Sequence, residues 1–322
     1  MLSEAELIRR YFMSAPRRAD VVLGIGDDGA IVHPTAGHDI VVSVDTLIEG
    51  VHFPADTPPG AVGHKALAVN LSDLAAMGAE PAWATLSLTM PGVDENWLTA
   101  FSAGLFGLAE RYRVELIGGD LTRGPLSITL QVMGTLPRGE SLRRDGARAG
   151  DLIFVTGTIG DAGLGLAVVR KIRALKAASR QWCLSRLNTP APRVAEGRQL
   201  LSIASAAIDV SDGLATDLDR ILTASGVGAT VELSSIPLSA AARDVYAGQV
   251  DWPAVLTAGD DYELLFTVPP ARASELTTQF AGADCDTSRI GVVEPAAGLR
   301  YTLGGAAWTL AVPAGYDHFA GR

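Results

Sequence analysis

Apolar residues recur along this chain with two periods, and the polar breaks between them fall repeatedly on glycine and aspartate. Near the start, Leu7, Ile8, Tyr11 and Phe12 share one face, with Ser3 placed to cap and Glu6 three residues on. The spacing predicts a short helix over Ser3 to Phe12. The apolar run Val21-Val22-Leu23 leads into Gly24-Ile25-Gly26-Asp27-Asp28-Gly29 and then Ala30-Ile31-Val32, the pattern of a tight turn between two strands. Asp39 to Leu47 reads as a strand that stops on the polar cluster Ser43-Val44-Asp45-Thr46. Leu67, Leu71 and Leu74 mark a helix from His64 to Met77 that Gly78 and Pro81 close, with Asn70 and Asp73 on a different stripe. Ala84 to Met90 alternates as a strand. Asp94 then caps a helix carrying Leu98, Phe101, Leu105 and Leu108.

Val114 to Ile117 is a further strand that breaks at Gly118-Gly119-Asp120 and runs on to Arg123-Gly124, and Leu126 to Leu136 alternates again. Ser141 to Gly150, charged and glycine-containing with Arg143 and Arg144, reads as a linker. After it, Asp151 to Thr156 is a strand. Gly157 to Asp161 then turns into a helix through Leu164, Leu166, Val168, Val169 and Ile172. That glycine loop has no Gly-Lys-Ser/Thr ending, so it reads as strand–helix packing, not as a phosphate cradle. Asn188 to Arg193 is a proline-containing turn before another helix. Ala206 to Leu214 places Asp209 and Ser211 on one side of a strand, with Asp212 near the start of a helix carrying Leu218, Ile221 and Leu222. Gly259-Asp260-Asp261 repeats the first acidic turn ahead of the strand Leu264-Leu265-Phe266. Residues 284–312 look like strand and hairpin material.

Aspartates gathered at turns and run ends repel one another unless a cation sits among them. Asp27, Asp28, Ser43 and Asp45 are hard oxygen donors of the kind magnesium takes. Glycines beside Asp120, with Arg123 after it, let a phosphate approach backbone amides and a guanidinium. Over 322 residues the length suits two domains, and the formal net charge of −10 argues against a nucleic-acid or anionic-membrane surface. It leaves phosphate ligands open, because divalent metals bridge acidic side chains to phosphates. Two cysteines, Cys183 and Cys285, are too far apart in sequence for a compact metal motif and read as free buried thiols. The N-terminus has no signal-peptide apolar core and no run approaches membrane-spanning length, so the expectation is a cytoplasmic protein.

In order, these segments resemble the thiamine-monophosphate kinase family, of the superfamily that includes aminoimidazole ribonucleotide synthetase and selenophosphate synthetase. The resemblance rests on Gly24-Ile25-Gly26-Asp27-Asp28, Ser43 to Leu47, the Lys65–Pro81 block and Gly118-Gly119-Asp120 through Arg123-Gly124. It continues through Ile208 to Gly213 and the Gly315-Tyr316-Asp317-His318-Phe319 tail. It implies an α/β (α+β) fold of two domains: an N-terminal mixed-sheet domain over 1–140 that contributes to a homodimer core, and a C-terminal α/β domain over 147–322. The two domains together would form the cleft that collects the acidic turns. It implies ATP and several magnesium ions, with thiamine monophosphate as acceptor and thiamine diphosphate as product. By the same resemblance Asp28, Ser43, Val44, Asp45, Asp73, Asp120, Asp209 and Asp212 would hold metal. Gly119, Asp120, Arg144 and Ser211 would contact ATP, and His52, Asp260 and Tyr316 the acceptor. The family usually reads Gly-Gly-Glu-Asp-Tyr-Glu where this chain has Ala258-Gly259-Asp260-Asp261-Tyr262-Glu263. Asp260 is one methylene shorter than glutamate there.

An acceptor that is a phosphate monoester, with a second pKa of about 6, is already largely ionised at neutral pH. No general base is required, and direct in-line transfer is expected. Two rival readings remain at this level. A selenophosphate synthetase relies on a reactive cysteine or selenocysteine early in the chain, and no cysteine precedes Cys183. A nucleotide sensor without turnover would bind Mg-ATP and yield no product.

Overall fold

The computed structural model describes residues 2–13, 17–280 and 285–309. They fall into two compact units, one of Met1–Leu74 with Ala79–Gly139 and the other of Ala75–Gly78 with the residues from Glu140 on. In the first unit the elements are α1 (Glu4–Tyr11), β1 (Val21–Leu23), β2 (Ile31–Val32), β3 (His38–Ile48), α2 (Pro59–Ala76), β4 (Glu80–Met90), α3 (Glu95–Arg111), β5 (Glu115–Arg123) and β6 (Ser127–Pro137). The local signals behave as the sequence anticipates. Ser3 and Glu6 form a complete capping box, and the Asp94 carboxylate accepts from the amides of Asn96 and Trp97 at the start of α3. The acidic turn lies between β1 and β2, which pair antiparallel.

Strands β3, β6, β4 and β5 lie side by side in that order. One face of this sheet is the core. Leu86, Leu88, Ile128, Leu130 and Val132 point into it, and they and Leu67, Leu71 and Leu74 of α2 are all nearly or fully buried. Helices α2 and α3 approach to backbone contact. A side chain on Gly63 would stand 2.1 Å from the Phe101 carbonyl oxygen, and one on Gly104 1.9 Å from that of Gly60. The opposite face is partly covered by the β1–β2 hairpin, where Val21, Ala82, Trp83 and Ile117 cluster.

β3 does not stop on its polar cluster, contrary to the expectation from sequence. It runs on to Ile48 and pairs with β6 along its whole length, because Thr46, Leu47 and Ile48 continue the alternation that a ladder requires.

The second unit contains β7 (Leu152–Thr156), α4 (Asp161–Val169), α5 (Ala177–Asn188), α6 (Val194–Leu200), β8 (Ala206–Asp209), α7 (Leu214–Ser225), β9 (Gly228–Glu232), α8 (Ala240–Tyr246), α9 (Trp252–Thr257), β10 (Leu264–Val268), α10 (Ala273–Gln279), β11 (Thr287–Glu294), β12 (Gly298–Leu303) and β13 (Ala306–Trp308). Its seven strands form one mixed sheet in the order β13-β12-β9-β11-β7-β10-β8, with β12 and β9 parallel and the other neighbours antiparallel. Ile153, Val155, Ile208, Leu218 and Ile221 lie at the centre of its core. α4 ends at Val169, short of Ile172, which is largely exposed.

Both cysteines are free and buried. Burial pushes the Cys183 thiol up to about 12 and the Cys285 thiol up to about 11. Iodoacetamide at pH 8 is therefore expected to leave both unlabelled in the native protein and to label both in denaturant. Mass spectrometry of the intact chain reads the difference, and native labelling of either would contradict this burial.

Candidate functional site

In the first unit the acidic residues sort by sheet face. Ser43 and Asp45, two residues apart on β3, both project toward α2. The Ser43 hydroxyl donates to Asp73 Oδ2 at 2.5 Å. The backbone amide of Asp45, on the unpaired edge of β3, donates to Asn70 Oδ1 at 3.0 Å. Asn70 is itself fully buried, and its amide group donates to the Ala66 carbonyl. Asn70 and Asp73 thus share a stripe, as their spacing predicts, and that stripe covers the edge strand. Val44 points the other way and is 57% exposed, so its backbone alone could serve a ligand role. Asp27 and Asp28 are exposed in the turn, where the Asp27 carboxylate accepts from the Asp28 amide.

Asp120 is not with them. β5 slips by one residue against β4 between Leu116 and Gly118, and the slip turns every later side chain over. Through the ladder, Asp120 lies opposite Ser87, Ser87 opposite Thr129, and Thr129 opposite Thr46. That row is on the face away from Ser43, Asp45 and Asp73. Gly119 has a structural reason to be glycine: its φ is +150°, and a side chain would stand 1.9 Å from the Leu86 carbonyl oxygen. His52 accepts a hydrogen bond at Nδ1 from the Ile48 amide at 3.0 Å, which places the proton of the neutral ring on Nε2.

In the second unit, Asp209 ends β8 and is buried. The helix that follows is not capped by Asp212. Gly213 occupies the N-cap position with no side-chain bond. The Asp217 carboxylate, fully buried, instead turns back to accept from the amides of Ser211 and Asp212, both at 3.0 Å. Asp212 forms an ion pair with Arg220 at 2.6 Å, and Arg220 also reaches Asp217. Burial pushes the Asp217 carboxyl up to about 6, against the pull of the Asp212 amide and of Arg220. The sequence does not mark Asp217 and Arg220, because only the folded turn brings them to the Asp209–Asp212 segment.

Arg144 is exposed, whereas its neighbour Arg143 is taken by Asp145 at 2.6 Å. At the glycine loop before α4, the Gly160 amide is held by the buried Asp261 carboxylate at 2.8 Å, in keeping with a packing role for that loop. Asp260 has a backbone φ of 68°, and its carboxylate accepts from the Tyr262 hydroxyl at 3.0 Å. Tyr316 lies outside the described residues.

The donor set is entirely oxygen: carboxylates, a hydroxyl and backbone carbonyls, which suits magnesium and not a soft metal. Among the described residues no three His, Cys, Asp or Glu side chains stand together as a ready-made metal cage.

The two units correspond to matches with two family models. Residues 26–136 match the AIR synthase related protein N-terminal domain, and residues 148–304 its C-terminal domain. The fold and its paired acidic turns therefore define an AIR synthase related protein. Thiamine-monophosphate kinase of Salmonella typhimurium (strain LT2) is 46% identical over 98% of both chains. The crystal structure of thiamine-monophosphate kinase from Stenotrophomonas maltophilia K279a has a TM-score of 0.84 at 44% identity, covering 91% of this chain and 93% of that one. AaThiL complexed with AMPPCP and TMP has a TM-score of 0.78 at 32% identity, covering 92% of each chain. This chain belongs to the thiamine-monophosphate kinase family.

Proposed function

We propose that the protein transfers the γ-phosphoryl group of ATP to thiamine monophosphate, giving thiamine diphosphate and ADP. The observation that carries this reading is likeness along nearly the whole chain to thiamine-monophosphate kinases, together with the likeness to AaThiL holding an ATP analogue and TMP. Bound magnesium would neutralise the two polyanions and absorb charge as the bond to ADP breaks. Asp28, Ser43, Asp45 and Asp73 would hold it in the first unit and Asp209 and Asp212 in the second, where Asp212 would exchange its ion pair with Arg220 for the metal. Gly119, Asp120, Arg144 and Ser211 would meet ATP. His52, Asp260 and Tyr316 would orient the acceptor, whose own ionised phosphate oxygen attacks in line. His52 would donate from Nε2, since its Nδ1 is engaged.

The protein is also proposed to act as a homodimer. On the open face of the first sheet, Ile40, Val42, Val44 and Ile48 are 46%, 55%, 57% and 40% exposed in a row along an edge strand. Asp120 is on that face, so its share in the site is the part that depends on a second copy. Val42→Arg is expected to convert a species of twice the chain mass to one of single mass in light scattering. A wild-type monomer would contradict the dimer. Cytoplasmic location is part of the same proposal: the free thiols accord with a reducing compartment, and no described helix is long and apolar enough to cross a membrane.

The test of the reaction is an acceptor panel of thiamine monophosphate, thiamine, pyridoxal phosphate and buffer alone, each with ATP and magnesium. ADP formed together with thiamine diphosphate, and only with the first acceptor, is the expected result. ATP binding without product from any acceptor would point instead to a nucleotide sensor.

A further inference from the structure

Asp260 and Tyr262 both sit in the left-handed region, with φ of 68° and 50°, and Asp261 lies between them. A non-glycine residue stays in that region only where its surroundings impose it. The surroundings are explicit here. The Asp260 amide donates to the Ser211 carbonyl at 2.9 Å, and the Tyr262 amide to Val210 at 2.8 Å, so the segment is stitched to the Asp209–Asp212 strand end. Asp261, buried, accepts from the Gly160 amide at 2.8 Å, and its own carbonyl accepts from Arg186 at 3.0 Å. Glu263, with no exposed surface, accepts from both nitrogens of the Arg193 fork at 2.6 and 2.7 Å, from Arg186 at 2.6 Å and from the Thr156 hydroxyl at 2.7 Å. Gly157 makes room for this carboxylate, since a side chain there would stand 2.2 Å from Glu263 Oε1. Every alternate side chain of the segment thus points into a cage of fixed donors. The remaining pair, Asp260 and Tyr262, is joined by the 3.0 Å bond from hydroxyl to carboxylate.

We infer that Asp261 and Glu263, clamped by the Gly160 amide, Arg186 and Arg193, are positioning residues that hold the Asp260–Tyr262 pair in its left-handed backbone to recognise the acceptor. This rests on the reading that Asp260 touches the acceptor. Direct recognition belongs to the pair: the Tyr262 hydroxyl fixes one oxygen of the carboxylate and so sets where the other points. Asp261 and Glu263 act only through the backbone between them. A change at the cage that keeps the fold therefore alters acceptor binding and leaves the nucleotide and the phosphoryl step alone.

Two variants test this in the full-length enzyme, with Michaelis constants for ATP and thiamine monophosphate measured separately. Tyr262→Phe removes only the hydroxyl, and Asp261→Asn keeps the shape of the buried group. Each is expected to raise KM for thiamine monophosphate by ~10-fold, the loss of about one positioned hydrogen bond, with KM for ATP and kcat within about twofold. If Asp261→Asn fails to fold, Glu263→Gln, which keeps the shape of the other clamped group, replaces it beside Tyr262→Phe. An unchanged acceptor KM, or equal rises for ATP and acceptor, overturns the inference while the kinase reading stands. A wild-type enzyme that makes no thiamine diphosphate overturns the kinase reading and this inference with it.

Discussion

Asp45→Asn is expected to lower kcat by about a thousandfold, with Tm within about 2 °C of the wild type. Asparagine keeps the shape of the side chain, so the amide bond from residue 45 to Asn70 and the ladder with Leu130 survive. What is lost is the negative charge beside the Ser43–Asp73 pair. In phosphoryl transfer the protein contributes almost wholly by positioning and charge, and a carboxylate that holds a magnesium–phosphate complex has no neutral substitute. Single-turnover kinetics at saturating ATP and acceptor separates this from weaker binding. A kcat near wild type would remove Asp45 from the metal set.

Glu263→Ala is expected to unfold the second unit in large part at 37 °C. The change leaves the Arg186 and Arg193 side chains, only 10% and 16% exposed, without their shared carboxylate. Removing one partner of a buried ion pair costs about 3–5 kcal/mol, because the remaining charge stays desolvated. Two guanidiniums are stranded here, and among the described residues Arg186 Nε already has no partner. A domain of this kind has only about 5–15 kcal/mol of stability to lose. Urea unfolding followed by circular dichroism measures the change. A midpoint close to the wild-type value would mean that the cage relaxes and admits water.

What the sequence made legible was local. The Ser3–Glu6 capping box, the Asp94 cap, the leucine stripe of α2 and the turn between β1 and β2 each follow from residues within a few positions of one another. Asn70 and Asp73 could be paired with each other by helical spacing, though not with β3. What escaped needed long-range register. Asp120 reads as a companion of Asp45 until the one-residue slip in β5 puts it on the other face of the sheet. Glu263 reads as one more acid in a motif, yet its partners are 70 and 77 residues away. Asp212 reads as a helix cap, but Asp217 takes over the amides of the turn and leaves Asp212 to Arg220. In each case the deciding contact closes a loop that periodicity does not encode.

The reaction proposed for this protein is transfer of the γ-phosphoryl group of ATP to thiamine monophosphate. Its most direct test is mass spectrometry of the products formed from ATP that carries oxygen-18 at all the non-bridging γ positions. The account predicts thiamine diphosphate whose terminal phosphate keeps every labelled oxygen, with unlabelled ADP and no labelled inorganic phosphate beyond the magnesium-only background. Labelled inorganic phosphate released while thiamine monophosphate stays unchanged would contradict it.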